Sequence, residues 1–217
     1  MNSAAPVPRR GMLFVLSSPS GAGKTSLARR LLADHADLTL SVSATTRSPR
    51  PGEQDGREYY FVSDARFEKM KEAGAFLEHA EVHGHLYGSP RAPATEALER
   101  GADLLFDVDW QGARAIASRE AADTVRVFIL PPSMTDLERR LLGRAQDAPA
   151  VIQRRLGRAR DEIMKWTEYD YVVLNDDLER AYAELAVIYR AERLKRFRNL
   201  WMEPLVERLL EEGGPGL

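Results

Sequence analysis

The chain has 217 residues, 44% hydrophobic and 29% charged, enough for one globular domain with insertions and a substantial core. Lys+Arg 31 against Asp+Glu 33 gives a net charge of -2, which excludes a global basic field and hence nucleic acid as the expected partner; any anion site must be built locally. Cys 0 excludes a disulfide framework, a thiolate metal site and a cysteine nucleophile, which suits a reducing cytoplasm, and no apolar run nears the ~20 residues that cross a membrane.

In chain order, residues 1–10 carry Arg9 and Arg10 without periodicity and are expected to form a loose extension. Residues 12–16 read as a buried strand, a run too short for a signal peptide. A helix starts near Lys24, with Leu27, Ala28, Leu31 and Leu32 on one face. Residues 45–90, rich in Tyr, Gly and charge, read as a strand-rich insertion. A further helical stretch closes at Leu98, before Gly101. Residues 104–108, 125–130 and 171–174 read as buried strands, and Leu185, Ile188, Tyr189 and Leu194 mark a long C-terminal helix. Residues 213–217 are a Gly/Pro tail, expected to be loose. Alternation of strand and helix predicts an α/β fold with a parallel sheet covered on both faces.

Between the first strand and the first helix stands Ser18, Pro19, Ser20, Gly21, Ala22, Gly23, Lys24, Thr25. This is the phosphate-loop pattern G-x-x-x-x-G-K-[ST], with Ser18 at the position of the first glycine. Small residues let successive backbone N–H groups turn toward phosphate oxygens, and the helix N-terminus adds partial positive charge. Lys24 would reach the β- and γ-phosphates of a nucleoside triphosphate, and the Thr25 hydroxyl would ligate Mg²⁺. The loop alone does not distinguish a GTPase, an ATPase or a small-molecule kinase.

Further along stand residues 41–53, SVSATTRSPRPGE, then 56–61, GREYYF; 76–78, FLE; 87–89, YGS; 107–112, DVDWQG; and 173–177, VLNDD. In this order and spacing they resemble the guanylate kinase family, over about residues 12–193. The resemblance implies a three-layer P-loop sandwich with a parallel sheet core, a small strand-rich GMP-binding insertion and a helical lid. It implies the reaction ATP + GMP giving ADP + GDP, with Mg²⁺ as cofactor and ATP and GMP as the small-molecule partners. Matched to the family, residues 11–212 form the domain: core 11–44, 91–137 and 162–212, insertion 45–90, lid 138–161. Arg47, Arg50 and Tyr59, with Tyr87 and Ser89, match residues that hold the GMP phosphate; Ser43, Glu78 and Asp109 match those near guanine. Lid residues Arg144 and Arg155 match arginines that reach the transferring phosphoryl group, and Asn175 matches a contact to the adenine of ATP. Lys24, Arg47, Arg50, Arg144 and Arg155 form the expected catalytic set, in a cytoplasmic monomer or homodimer that acts on neither nucleic acid nor membrane.

These residue types suit the chemistry. Arg47 and Arg50 sit on a turn stiffened by Pro49 and Pro51 and offer planar, always charged forks for phosphate oxygens; without the family pattern they read as two solvated loop arginines. Guanine presents N1–H and an amine side by side, so Glu78 can accept from both, whereas AMP would leave it unpaired. By itself Glu78 reads as a helix-end acid. Asp107 closes an apolar strand, where a carboxylate can hold Mg²⁺ directly or through water. Asp109 serves equally well as a helix N-cap.

Residues 138–161 hold seven arginines (Arg139, Arg140, Arg144, Arg154, Arg155, Arg158 and Arg160) and no lysine. Arg140, Arg144 and Arg155 suit a lid that stabilises charge and expels water, and the competing reading is a basic helical face paired with Glu138, Asp161 and Glu162. His79, His83 and His85 lack metal-site spacing, and Trp166, Tyr169 and Tyr171 read as packing residues. A kinase-like binding module would show a degraded loop or lost lid arginines, and both are intact in the sequence. A phosphotransferase for another acceptor is the remaining rival, against which Glu78 and Ser43 speak.

Overall fold

The structure, a computed structural model, describes residues 8–82, 84–143 and 149–212, with backbone alone for 149–152. The first half runs β1 (Leu13–Ser17), α1 (Lys24–Asp34), β2 (Leu38–Leu40), β3 (Ala44–Thr45), β4 (Tyr60–Phe61), α2 (Asp64–Glu72), β5 (Phe76–Val82), β6 (His85–Pro90) and α3 (Arg91–Glu99). The second runs β7 (Asp103–Asp107), α4 (Trp110–Arg119), β8 (Thr124–Leu130), α5 (Met134–Leu142), α6 (Pro149–Ile163), β9 (Tyr171–Leu174), α7 (Leu178–Arg193) and α8 (Met202–Glu212). The four strands expected from apolar runs are β1, β7, β8 and β9, with ends within one residue of expectation.

Every residue of β1 is buried, so its backbone groups need partners on both edges. It pairs in parallel with β7 on one side and β8 on the other, within a five-stranded sheet ordered β2-β7-β1-β8-β9. Successive side chains of the first strand serve opposite layers. Phe14 and Leu16 pack with Leu27 and Leu31 of α1 and with Leu185 and Tyr189 of α7. Leu13 and Val15 pack with Ala94 and Leu98 of α3 and with Ala113 and Ile116 of α4. The result is a three-layer α/β/α sandwich in which each buried large apolar side chain contributes roughly 1.5–3 kcal/mol. Because α1 follows β1 and α4 follows β7, loops and helix N-termini gather at the carboxyl edge of the sheet, where open α/β sheets place ligands.

A second, four-stranded sheet ordered β4-β3-β6-β5 stands beside this edge, and α2 closes it by stacking Phe67 on Phe76 at 4.5 Å. Its first strand begins at Ala44, one residue before the expected insertion. The expected lid boundaries, 137/138 and 161/162, fall inside α5 and α6, whose Leu137, Leu141 and Ala159 form one apolar cluster. Arg144, His83 and residues 213–217 lie outside the described residues.

At the opposite edge the expected loose extension is corrected for its last residues. Arg9 donates to the Gly101 carbonyl at 2.7 Å and to Asp103 at 2.9 Å, and Arg10 pairs with Asp123 at 2.6 Å. Asp103 is fully buried and also accepts from the Met12 amide at 3.0 Å and the Tyr189 hydroxyl at 2.9 Å. The Arg10 amide donates to the Arg198 carbonyl at 2.7 Å, and buried Arg198 donates to the Gly11 carbonyl at 2.7 Å. A buried carboxylate draws these cations in, because unpaired it would cost several kcal/mol.

Candidate active site

The phosphate loop leaves β1 and turns into α1 through Gly21 and Gly23, at φ 96° and 97°. A Cβ on Gly23 would lie 2.2 Å from the Asn175 amide nitrogen, so this position needs glycine for space as well as for its left-handed backbone. Asn175 is buried beneath the loop and donates to the Ala22 carbonyl at 2.6 Å. Arg140 reaches the same carbonyl at 3.4 Å and the Asn175 carbonyl at 2.9 Å. The structure therefore ties Asn175 and Arg140 to the underside of the loop. We expect Asn175→Ala to cost about 1–3 kcal/mol, because it leaves a buried carbonyl short of its main donor. Chemical denaturation should read that loss, and the KM for a phosphate-bearing substrate held by the loop should rise about tenfold. Parental stability and parental KM together would rule out this support role.

Lys24 donates to the Val108 carbonyl at 3.1 Å and forms an ion pair with Asp107. Thr25 is exposed on the first turn of α1. The loop from Ser18 to Thr25 faces a pocket whose other wall is Asp109 and Glu162. Asp109 caps α4, accepting from the Gly112 amide at 2.9 Å, so its N-cap reading is realised in the structure. Glu162, read from sequence as a surface partner of the lid arginines, instead borders the phosphate loop.

A second cavity opens between the two sheets, lined by Ser43, Tyr59, Ser89, Phe106, Asp107 and Val108. Glu78 lies on β5, which corrects its reading as a helix-end acid, and accepts from the Ser89 hydroxyl at 2.5 Å. Burial, with the charge of Asp109 added, pushes the Glu78 carboxyl up against the opposing hydrogen bonds from Ser89. Gly112 packs onto it: a Cβ there would stand 3.5 Å from the Glu78 carboxylate and 3.0 Å from the Val108 Cβ.

Arg47 pairs with Glu53 at 2.9 Å and lies 5.4 Å over the Tyr59 ring, which meets Tyr87 edge-on at 5.9 Å. Glu53 also accepts from the Arg50 amide at 2.7 Å, and the Arg47 bond is the first cause holding its carboxyl below the usual range. Glu53 therefore orders the turn that carries both arginines. The sequence reading missed it, although an acid three residues after Arg50 on a Pro-Gly turn was a usable signal. Arg155 lies on α6, partly buried.

Asp107 faces the second cavity while its ion-pair partner Lys24 faces the phosphate loop. One ion pair thus forms the wall between two adjoining pockets, and two residues that line the second, Tyr59 and Ser89, carry Arg47 and Glu78 behind them. Two pockets that share a charged wall could hold two molecules side by side.

The chain is similar to known proteins along nearly its whole length. The family model described as guanylate kinase matches residues 10–192. The guanylate kinase of Caulobacter vibrioides is 58% identical over 205 residues, covering 94% of this chain and 96% of its own. That of Rhodospirillum rubrum is 53% identical over 213 residues, covering 97% and 98% respectively. Among solved structures, the guanylate kinase from Anaplasma phagocytophilum matches with a TM-score of 0.71 at 36% identity, over 94% of this chain and 97% of that one.

Proposed function

The chain belongs to the guanylate kinase family, and we propose that its transfer of the γ-phosphoryl group from ATP to GMP runs across the Lys24–Asp107 wall. The reaction, ATP + GMP giving ADP + GDP, is that of an ATP:GMP phosphotransferase in purine nucleotide metabolism and GMP recycling. The observation that carries the site assignment is the shared wall, with the triphosphate loop on one side and the Ser43, Tyr59 and Ser89 cavity on the other.

In this reading the backbone N–H groups of Ser20 to Thr25 cradle the ATP phosphates, and Lys24 neutralises charge on the phosphoryl group as it leaves. Arg47 and Arg50, with Tyr59, Tyr87 and Ser89, hold the GMP phosphate; Glu78, with Ser43 and Asp109 nearby, reads guanine. Asn175, matched to an adenine contact, lies beneath the loop, and Arg144 and Arg155 come in with the lid to complete the charge clamp. The acceptor phosphate oxygen is already ionised, so no general base is assigned.

The Thr25 hydroxyl lines the loop pocket and the Asp107 carboxylate lies against Lys24 on the wall beside it, hard oxygen donors that would suit Mg²⁺ held directly or through water. When bound, that ion would neutralise charge on the β- and γ-phosphate oxygens. ATP and GMP are the assigned partners, and the cysteine-free composition suits a cytoplasmic setting. Among the described residues no helix is long and apolar enough to cross a membrane.

The test is Mg²⁺-dependent ADP release with GMP, AMP, UMP, CMP and dTMP as acceptors. GMP is expected to exceed every other acceptor in kcat/KM by about 10²-fold or more. Equal turnover of two acceptors, or no Mg²⁺-dependent turnover, would overturn the proposal.

A further inference from the structure

Glu162 has no place in the transfer just described, yet it sits against the phosphate loop. It lines the pocket together with Ser20, Gly21, Gly23 and Lys24, where the Ser20 amide favours its charged form. That amide belongs to the loop whose N–H groups receive phosphate oxygens. A carboxylate and a phosphate oxygen are both anionic acceptors, so they compete for the same donor. We propose that Glu162 competes with the triphosphate tail of ATP for the Ser20 amide, so that loading ATP expels the carboxylate from the loop. This inference rests on the phosphate-loop reading of Ser18 to Thr25.

The surroundings suit a displaceable anion. Burial and the charge of Asp109 push the Glu162 carboxyl up, while the Ser20 amide, Lys24 and Arg158 draw it down. The carboxylate is thus held by the cations and amide that a polyphosphate would engage more fully, and opposed by a neighbour of its own sign. Expulsion also has a mechanical outlet. Glu162 lies in the last turn of α6, and Arg155, Arg158 and Glu162 follow at i, i+3 and i+7, on one helix face. Displacing the carboxylate therefore acts on the helix that carries Arg155, which links occupancy of the loop to the position of the lid.

The test measures ATP, ADP and GMP binding by titration calorimetry for the full chain, Glu162→Gln and Glu162→Ala, with melting temperatures recorded. Both variants should bind ATP about tenfold more tightly than the parent, with GMP affinity unchanged. A purely structural role for Glu162 would move ATP affinity the other way, since a loosened loop binds phosphate less well. Unchanged or weakened ATP binding in a folded variant overturns the inference. Should Glu162→Gln fail to fold, Glu162→Ala is read by the same criterion; should both fail, Glu162 is a structural residue and the inference falls. Lys24→Ala separates the two readings: if it binds ATP like the parent, the phosphate-loop assignment itself is wrong. If it loses ATP while the Glu162 variants match the parent, only the competition is wrong.

Discussion

Lys24→Ala lowers kcat by about 10³-fold, the upper range for losing one preorganised charge-stabilising donor, while GMP affinity stays within roughly threefold of the parent. The expectation follows from how Lys24 is held. Its ammonium is fixed by Asp107 and by the Val108 carbonyl at 3.1 Å, so it needs no reorganisation when charge develops beside it. The GMP phosphate is assigned to Arg47 and Arg50, on a turn ordered separately by Glu53. Removing Lys24 therefore takes away an interaction of the transferring group and leaves the acceptor's main contacts in place. Steady-state ADP release and GMP calorimetry measure the two quantities. A kcat within tenfold of the parent would remove Lys24 from the transfer step, and a large loss of GMP affinity would show that it holds the acceptor.

Glu78→Gln should lower the preference for GMP over AMP by about 10²-fold or more, because the amide has one acceptor to offer where guanine presents two donors. Competition between the two acceptors in one assay measures the ratio, and an unchanged ratio would eliminate Glu78 as the guanine reader. The same variant carries a stability signature. Burial raises the carboxyl of Glu78, so the folded state binds its proton more tightly than the unfolded chain does. The stability this contributes is fully present below the unfolded value near ~4.3 and is lost as pH rises through the raised folded value. Glu78→Gln does not titrate, so its melting temperature should gain on the parent between acid and neutral pH. A gap that shrinks over that interval would contradict the burial argument. A carboxyl that weakens the fold at neutral pH, on a second-sheet strand facing α4, is what the proposed guanine-reading role would require.

Much of this was legible in the sequence, for identifiable reasons. The core strands are apolar runs bounded by breakers, and the phosphate loop is local chemistry in which eight consecutive residues carry the whole device. The expected α/β sandwich, its strand-rich insertion and its helical lid are all present. What stayed hidden depended on tertiary placement. Strand β2 has only three residues, of which Leu38 alone is buried, too few to generate a period. Helix α8 buries none of its residues, so no core demand marked it. Glu78 by itself read as a helix-end acid, whereas Phe76 and Leu77 begin the strand that carries it. Glu53 and Glu162 are ordinary acids in the sequence, and only the fold brings one to Arg47 and the other to the Ser20 amide. Arg9 and Arg10 looked like part of a loose end because their partners, Asp103 and Asp123, lie about a hundred positions away.

The bond between the Arg10 amide and the Arg198 carbonyl brings the start of the sheet and the end of its last covering helix side by side, far from both substrate pockets. Arg10 and Arg198 meet on the edge opposite the phosphate loop, so a chain shortened to that pair can be closed there by a short linker and reopened elsewhere. Circular permutants cut in an exposed loop of the second sheet, such as the turn at Gly52, would keep the sandwich and the phosphate loop continuous. Such permutants would make the acceptor module the new terminus, which offers a direct way to fuse, exchange or tether it without touching the catalytic wall.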